Sequence, residues 1–277
     1  MNNREFKCVN ILTDLVENYG LVGIKTSFED EGATFNEVLR LKEICNQSKT
    51  KVTLKIGGPE AIRDIKDSMV IGVKGLVAPM VESEFGLTKF INAINNNLPS
   101  EVVNSLQLNV NIETQTAVAN IDKILSQKAA ESLYGVTLGR VDLVSSMKKD
   151  RTFVNSEEVY QIAHDVFERT KKLGAKACIG GAVSTESLDF LKKLHSEKLL
   201  DKFETRYAIF DPSIALKNLS RALFKAQMFE YEWLTNKMEL YQILSLQDEN
   251  RIKMIQFRIN QAASELWEYL SLEGQEA

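Results

Sequence analysis

The sequence predicts a (β/α)8 barrel with a long C-terminal helical extension. Three observations carry this prediction. Short apolar runs alternate with amphipathic helical patterns through most of the 277 residues. The first such unit has no glycine-rich phosphate loop, which an open doubly wound sheet would be expected to carry there. From Ser213 to Glu273 the chain contains neither Gly nor Pro, and apolar residues recur at helical spacing.

The strand candidates are Leu21–Phe28, Lys51–Ile56, Gly75–Met80, Leu106–Ile112, Tyr134–Leu138, Ala175–Ile179 and Arg206–Phe210. Each is short and largely apolar, as strands covered on both faces are. Turn residues or charges follow several of them: Gly57-Gly58-Pro59, Glu82-Ser83-Glu84, Gly139-Arg140, Gly180-Gly181 and Asp211-Pro212. Amphipathic patterns at Asn36–Cys45, Glu84–Ile94, Ser156–Leu173 and Ser187–His195 supply helices between them. These candidates make seven units, one short of a closed barrel. Only Asn2–Ile11 is left for another strand, with Phe6–Ile11 as its apolar part. The barrel is expected over residues 1–235. The helical stretch from about Asn236 to residue 277 exceeds what one barrel helix needs, since globular helices run about 8–20 residues. It must bury its apolar face on its own barrel or on another subunit, and a homo-oligomer is expected.

Composition narrows the class. Hydrophobic residues make up 44% and charged residues 26%, enough apolar material for a sizeable core. The net charge of -4 argues against a nucleic-acid partner. Cys8, Cys45 and Cys178 are odd in number and form no CxxC pair, and there are only two histidines, so a zinc site is not indicated. A reduced, cytoplasmic protein is expected. The first 20 residues lack a signal-peptide pattern, and no run approaches the ~20 apolar residues of a membrane span.

The most informative segment is Asn109–Met147. One apolar run stops at Glu113 and the next at Asp142. Parallel strands open their C-terminal ends on one face of such a fold, so the two carboxylates are expected to converge there. Oxygen ligands so placed suit a hard divalent cation. Helix capping is the alternative role for acids at strand ends.

With these motifs placed, the chain resembles the HpcH/HpaI aldolase and citrate lyase beta-subunit family, which belongs to the phosphoenolpyruvate/pyruvate-binding barrels. The matching segments are GLVAPMVE (residues 75–82), NIETQTAVANID (111–122), GVTLGRVDLVSSM (135–147) and AIFDPSIAL (208–216). The resemblance implies a metal-dependent barrel that makes or breaks carbon–carbon bonds beside a pyruvate-type or acyl-CoA enolate. It implies Glu113 and Asp142 as ligands of Mg2+, or of Mn2+ or Co2+. Gly139 would approach the substrate through its backbone, and Pro79 and Glu82 would line the same mouth. The implied substrate is pyruvate or a related 2-keto acid with an aldehyde, or an acyl-CoA.

Two positions depart from the family pattern. Lys55 stands where family aldolases carry an arginine, and a lysine lacks the bidentate fork. Phe28-Glu29-Asp30-Glu31-Gly32 replaces a turn that often holds a histidine. His164 and His195 lie in helical patterns instead. Glu29 or Glu31 could transfer the proton, as could a water on the metal. Lys55 and Arg140 are expected to supply positive charge. Gly180-Gly181, ahead of Ser184-Thr185-Glu186, fits a tight turn or an anion site. Lys25, Lys55 and Lys176 also lie in strand candidates and leave a Schiff-base aldolase as an alternative. A further alternative is a barrel without catalysis that serves as a binding or assembly subunit.

Overall fold

A computed structural model of the chain describes the backbone of residues 1–273 and side-chain surroundings through residue 263. The chain divides into two compact units, Met1–Glu232 and Trp233–Ala277. The first contains the barrel.

The N-terminal segment is helix α1 (Asn3–Tyr19), not a strand. Asn2 and Glu5 form a reciprocal capping box at its start, and Gly20, in the left-handed region at φ 72°, ends it. Cys8, Leu12 and Leu15 are fully buried, a spacing of four and three that only a helix turns to one side. The strand expected at Phe6–Ile11 is therefore corrected: a short apolar run fits either period, and the caps decide between them.

Eight strands close a barrel in chain order. They are β1 (Leu21–Ser27), β2 (Val52–Lys55), β3 (Gly75–Ala78), β4 (Gln107–Ile112), β5 (Gly135–Gly139), β6 (Lys176–Gly180), β7 (Lys202–Glu204) and β8 (Ala208–Phe210). Helices α2 (Phe35–Gln47), α3 (Ile62–Ile71), α4 (Glu84–Asn97), α5 (Ser100–Ser105), α6 (Gln115–Ala119), α7 (Ile121–Ser126), α8 (Arg140–Ser146), α9 (Glu157–Lys172) and α10 (Leu188–Ser196) fill the connections from β1 to β7. The helices α11 (Pro212–Ala215) and α12 (Leu219–Glu273) follow β8.

The eighth strand is β7, which sequence reading passed over. It is only three residues long and is joined to β8 by Thr205, Arg206 and Tyr207. A parallel crossover needs a dozen or more residues, so this short link forces a hairpin. β8 accordingly runs antiparallel to both β7 and β1, whereas the successive pairs from β1 to β7 are parallel. The chain leaves β8 at the end of the barrel where β1 begins: the Asp211 N–H donates to the Gly20 carbonyl at 2.8 Å. The start of α12 then runs back toward the opposite end, the mouth.

The strand pleat sorts side chains by parity. Val52, Leu54, Val110, Ile112, Val136 and Leu138 are fully buried. The alternate positions Lys55, Asn111, Thr137 and Gly139 open on the cavity at the mouth, as do Lys25 of β1 and Glu204 of β7. Small residues make room in this polar interior. A Cβ on Gly135 would stand 2.7 Å from Asn109 Oδ1.

Among the described residues no helix is long and apolar enough to cross a membrane. In the second unit, residues 246–263 of α12 are all exposed. Leu266 and Trp267, part of the helical pattern read from sequence, lie outside the residues whose side chains are described.

Candidate active site

The mouth holds a cavity of about 460 Å³. Its lining includes both carboxylates singled out in the sequence, Glu113 just beyond β4 and Asp142 in the first turn of α8. Glu113 is 2% exposed and firmly held. The Met80 N–H donates to its Oε1 at 2.9 Å, and Asn111 Nδ2 donates to its Oε2 at 2.9 Å. Met80 adopts φ 50° to aim that N–H, an unusual conformation for a non-glycine residue. Thr114, the next residue, caps α6 through the Ala117 N–H at 3.1 Å, so capping falls to Thr114 and leaves Glu113 to the cavity. Burial pushes the Glu113 carboxyl above the usual range, against the lowering influence of Lys55, the Met80 N–H and Asn111; the charge of Asp142 adds to the rise.

The other side-chain oxygen in this group, Asn111 Oδ1, is buried with no hydrogen-bond partner. Leaving such an acceptor unsatisfied costs about 1–3 kcal/mol. Asn111 lines the cavity, so a ligand bearing a proton donor would satisfy it there. Among the described residues no three His, Cys, Asp or Glu side chains gather as a metal cluster. A cation here would take two protein carboxylates and fill its remaining positions from water or substrate, which suits Mg2+.

Two lysines share the cavity. Lys55 pairs with Glu29 at 2.8 Å, and Lys25 pairs with Glu204. Burial disfavours both ammonium charges, but for Lys25 the Glu204 carboxylate, and for Lys55 the carboxylates of Glu113 and Glu29, outweigh it; both pKa values are raised. Neither lysine is poised as the neutral amine that Schiff-base chemistry needs. Lys176, at the far end of β6, is half-exposed and paired with Asp201 at 3.1 Å.

Four residues expected at the site stand outside the cavity lining. Arg140 is fully buried, and its guanidinium turns away from the cavity. It donates to the carbonyls of Gly180 (3.2 Å), Gly181 (2.8 Å) and Val154 (3.3 Å) and to Asn155 Oδ1 (2.6 Å). Burial without a carboxylate partner lowers its pKa to about 10, so it stays charged at neutral pH but faces the protein. It clamps the Gly180-Gly181 turn, where Gly181 sits at φ 82° against the start of α8. Glu82 accepts from the Thr114 hydroxyl, and its carbonyl accepts from Asn120 Nδ2 at 2.9 Å, so it ties two loops together. Pro79 is buried and, like Glu82, is not part of the cavity lining. Glu29 is held by Lys55 outside the lining. Gly139 does line the cavity, and a Cβ there would lie 2.7 Å from Glu113 Oε2. His164 and His195 are remote from the site; His164 lies near Asp165 and Glu197.

Several lining residues were missed or left open by sequence reading: Asn111, Glu204, Arg206, Glu230 and, above all, Glu31. Arg206 and Glu204 come from the hairpin, and Glu230 from α12. Only the reversal of β8 brings α12 to the mouth. Glu31 was legible only as an alternative to Glu29, and Asn111 had a readable signal in the strand parity it shares with Glu113 two residues on.

The fold and site define a barrel protein with a buried carboxylate, Glu113, an exposed one, Asp142, and lysine cations at its C-terminal mouth. The chain belongs to the HpcH/HpaI aldolase/citrate lyase family, whose model matches residues 37–188, more than half of the chain. Solved structures agree in fold. An HpcH/HpaI aldolase from Desulfitobacterium hafniense DCB-2 matches with a TM-score of 0.58 at 16% identity, over 73% of this chain and 81% of that one. The citrate synthase SbnG matches with a TM-score of 0.57 at 15% identity, over 80% and 89%. A family protein from Burkholderia cenocepacia J2315 matches with a TM-score of 0.55 at 12% identity, over 71% and 91%. No curated protein sequence matches the chain.

Proposed function

We propose that the protein is a divalent-metal-dependent carbon–carbon lyase or aldolase that works through the enolate of a pyruvate-type 2-keto acid. The observation that carries this reading is the held Glu113 carboxylate beside the unsatisfied Asn111 Oδ1, with Asp142 lining the same cavity. Glu113 and Asp142 would hold the cation, with Mg2+ the natural occupant of an all-oxygen site. When bound, the metal supplies Lewis acidity that favours the enolate over the ketone. Lys55, kept charged beside Glu113, offsets the negative charge of a substrate carboxylate as a point charge. Lys25 and Glu204 form a polar floor, and Arg206 adds a further cation. The carbon partner is an aldehyde or an acyl-CoA.

The test combines binding with chemistry. Mn2+ should bind the parent and lose at least about tenfold affinity in both Glu113→Gln and Asp142→Asn, each tenfold being about 1.4 kcal/mol. The parent should exchange pyruvate methyl protons into D2O only with metal present, with EDTA as control. Undiminished Mn2+ binding by both variants would refute the site.

The long helix α12 supports a homo-oligomer. Tyr241, Leu244, Ile252, Ile255 and Ile259 expose 40–65% of their surface, and all fall on one helical face. Truncation near Asn236 should reduce the mass seen by light scattering; an unchanged oligomer would oppose this role. Cys8, Cys45 and Cys178, all unpaired and buried, suit a reducing compartment such as the cytoplasm.

A further inference from the structure

We propose that Glu31 is the acid/base residue of this cavity, the group that takes a proton from the substrate carbon and returns it. The inference rests on the enolate reading above. Glu29, the neighbouring candidate, is committed to Lys55 at 2.8 Å and does not line the cavity; Glu31 does. Its side chain is only 6% exposed. The Thr26 hydroxyl donates to Oε2 at 3.2 Å, and the Tyr207 hydroxyl lies near the carboxylate. Arg206 Nε stands 3.6 Å from Oε1. Three elements thus fix one carboxylate: β1 through Thr26, the β7–β8 hairpin through Arg206, and its own loop.

That loop is itself pinned. Ser27 Oγ accepts from the N–H groups of Glu29 and Asp30, each at 3.1 Å, and the Ala33 N–H donates to the Ser27 carbonyl at 3.1 Å. Gly32, at φ 57°, permits the turn. The charged groups acting on Glu31 are Asp30 on its loop and Arg206 on the hairpin; Glu230 on α12 acts on Arg206 and, with Lys25 and Lys55, lines the same cavity. Burial raises the Glu31 pKa, with Asp30 adding to the rise and Arg206, Thr26 and Tyr207 opposing it. A base works best with a pKa close to the working pH.

In the proposed step, ionised Glu31 takes a proton from the carbon beside the carbonyl. The C–H electron pair becomes the enolate double bond, and the carbonyl π pair moves onto oxygen. The neutral acid then returns a proton, or in D2O a deuteron after exchange with solvent, to the same carbon.

The experiment compares the parent, Glu31→Gln and Glu31→Asp in two measurements, Mn2+ affinity and metal-dependent proton exchange of pyruvate and longer 2-keto acids across pH. Glu31→Gln should bind Mn2+ like the parent and lose about 100-fold in exchange rate, the low end for a lost general base. The rising limb of its pH–rate profile should disappear, and Glu31→Asp should recover part of the rate. Exchange within threefold of the parent in Glu31→Gln overturns the inference and leaves the enolate reading intact. Loss of Mn2+ affinity together with exchange shows a structural role and also overturns it. A parent that binds Mn2+ but exchanges no 2-keto acid overturns the enolate reading, and this inference with it.

Discussion

Gly139 and Glu113 occupy adjoining space at the barrel mouth: a methyl group on residue 139 would lie 2.7 Å from Glu113 Oε2 and 2.9 Å from its Cβ. The end of β5 thereby sets where the buried carboxylate at the end of β4 can stand. Gly139 has φ -88°, which any residue adopts, so its requirement is one of space alone. Gly139→Ala should displace the carboxylate and weaken Mn2+ binding by about tenfold or more. Calorimetric titration checks this, and unchanged affinity would mean that the two strands are not coupled through this contact.

Lys25 and Glu204 form an ion pair across the floor of the cavity, with side chains 17% and 8% exposed. Removing one partner of a buried pair leaves an uncompensated charge, a cost of about 3–5 kcal/mol that water in the open cavity should trim to about 2 kcal/mol. Urea unfolding of Lys25→Met and Glu204→Gln should each show that loss. The double variant Lys25→Met/Glu204→Leu should recover most of it. Equal losses in the single and double variants would mean that packing, not charge, is responsible.

Arg140 supplies a stability prediction instead of a catalytic one. Four acceptors depend on its planar fork, which the point charge of a lysine cannot reproduce. Arg140→Lys should destabilise the fold by about 2–3 kcal/mol, since buried acceptors are left unmet. Mn2+ affinity of the folded variant should change little. A variant of parental stability that loses exchange activity would return Arg140 to the catalytic list.

Glu5 couples the position of α1 to pH. Burial pushes its carboxyl up, but hydrogen bonds from Arg40 on α2 and from the Asn2 N–H outweigh this, and the folded pKa lies below the ordinary 4.5. The folded state therefore holds the proton less tightly than the unfolded chain does. The associated stability is present above about pH 4.5 and is lost as pH falls from there through the folded value. At neutral pH Glu5→Gln should be less stable than the parent, and the gap should close on acidification through that window. A gap that stays constant with pH would assign the effect to packing.

The sequence by itself determined the barrel class, most of the parallel strands, and the carboxylate pair at the ends of two successive units. These features are local: apolar periodicity marks an element, and a charge just past its end marks the mouth. Asp142 and Glu113 were legible for that reason. The tertiary structure decided what local pattern could not. The apolar run at Phe6–Ile11 belongs to a helix, because Asn2, Glu5 and Gly20 cap it as one. β7 was invisible because three residues carry no period, and its hairpin reverses β8 and turns the start of α12 toward the mouth. Arg140, expected to supply charge at the mouth, faces the protein, and of Glu29 and Glu31, both left open for proton transfer, only Glu31 lines the cavity. Arg140 and Glu31 are both charged residues just past strand ends. Which of them faces the cavity depends on what packs behind it: main-chain carbonyls surround the guanidinium, while the Thr26 hydroxyl and an open cavity meet the carboxylate.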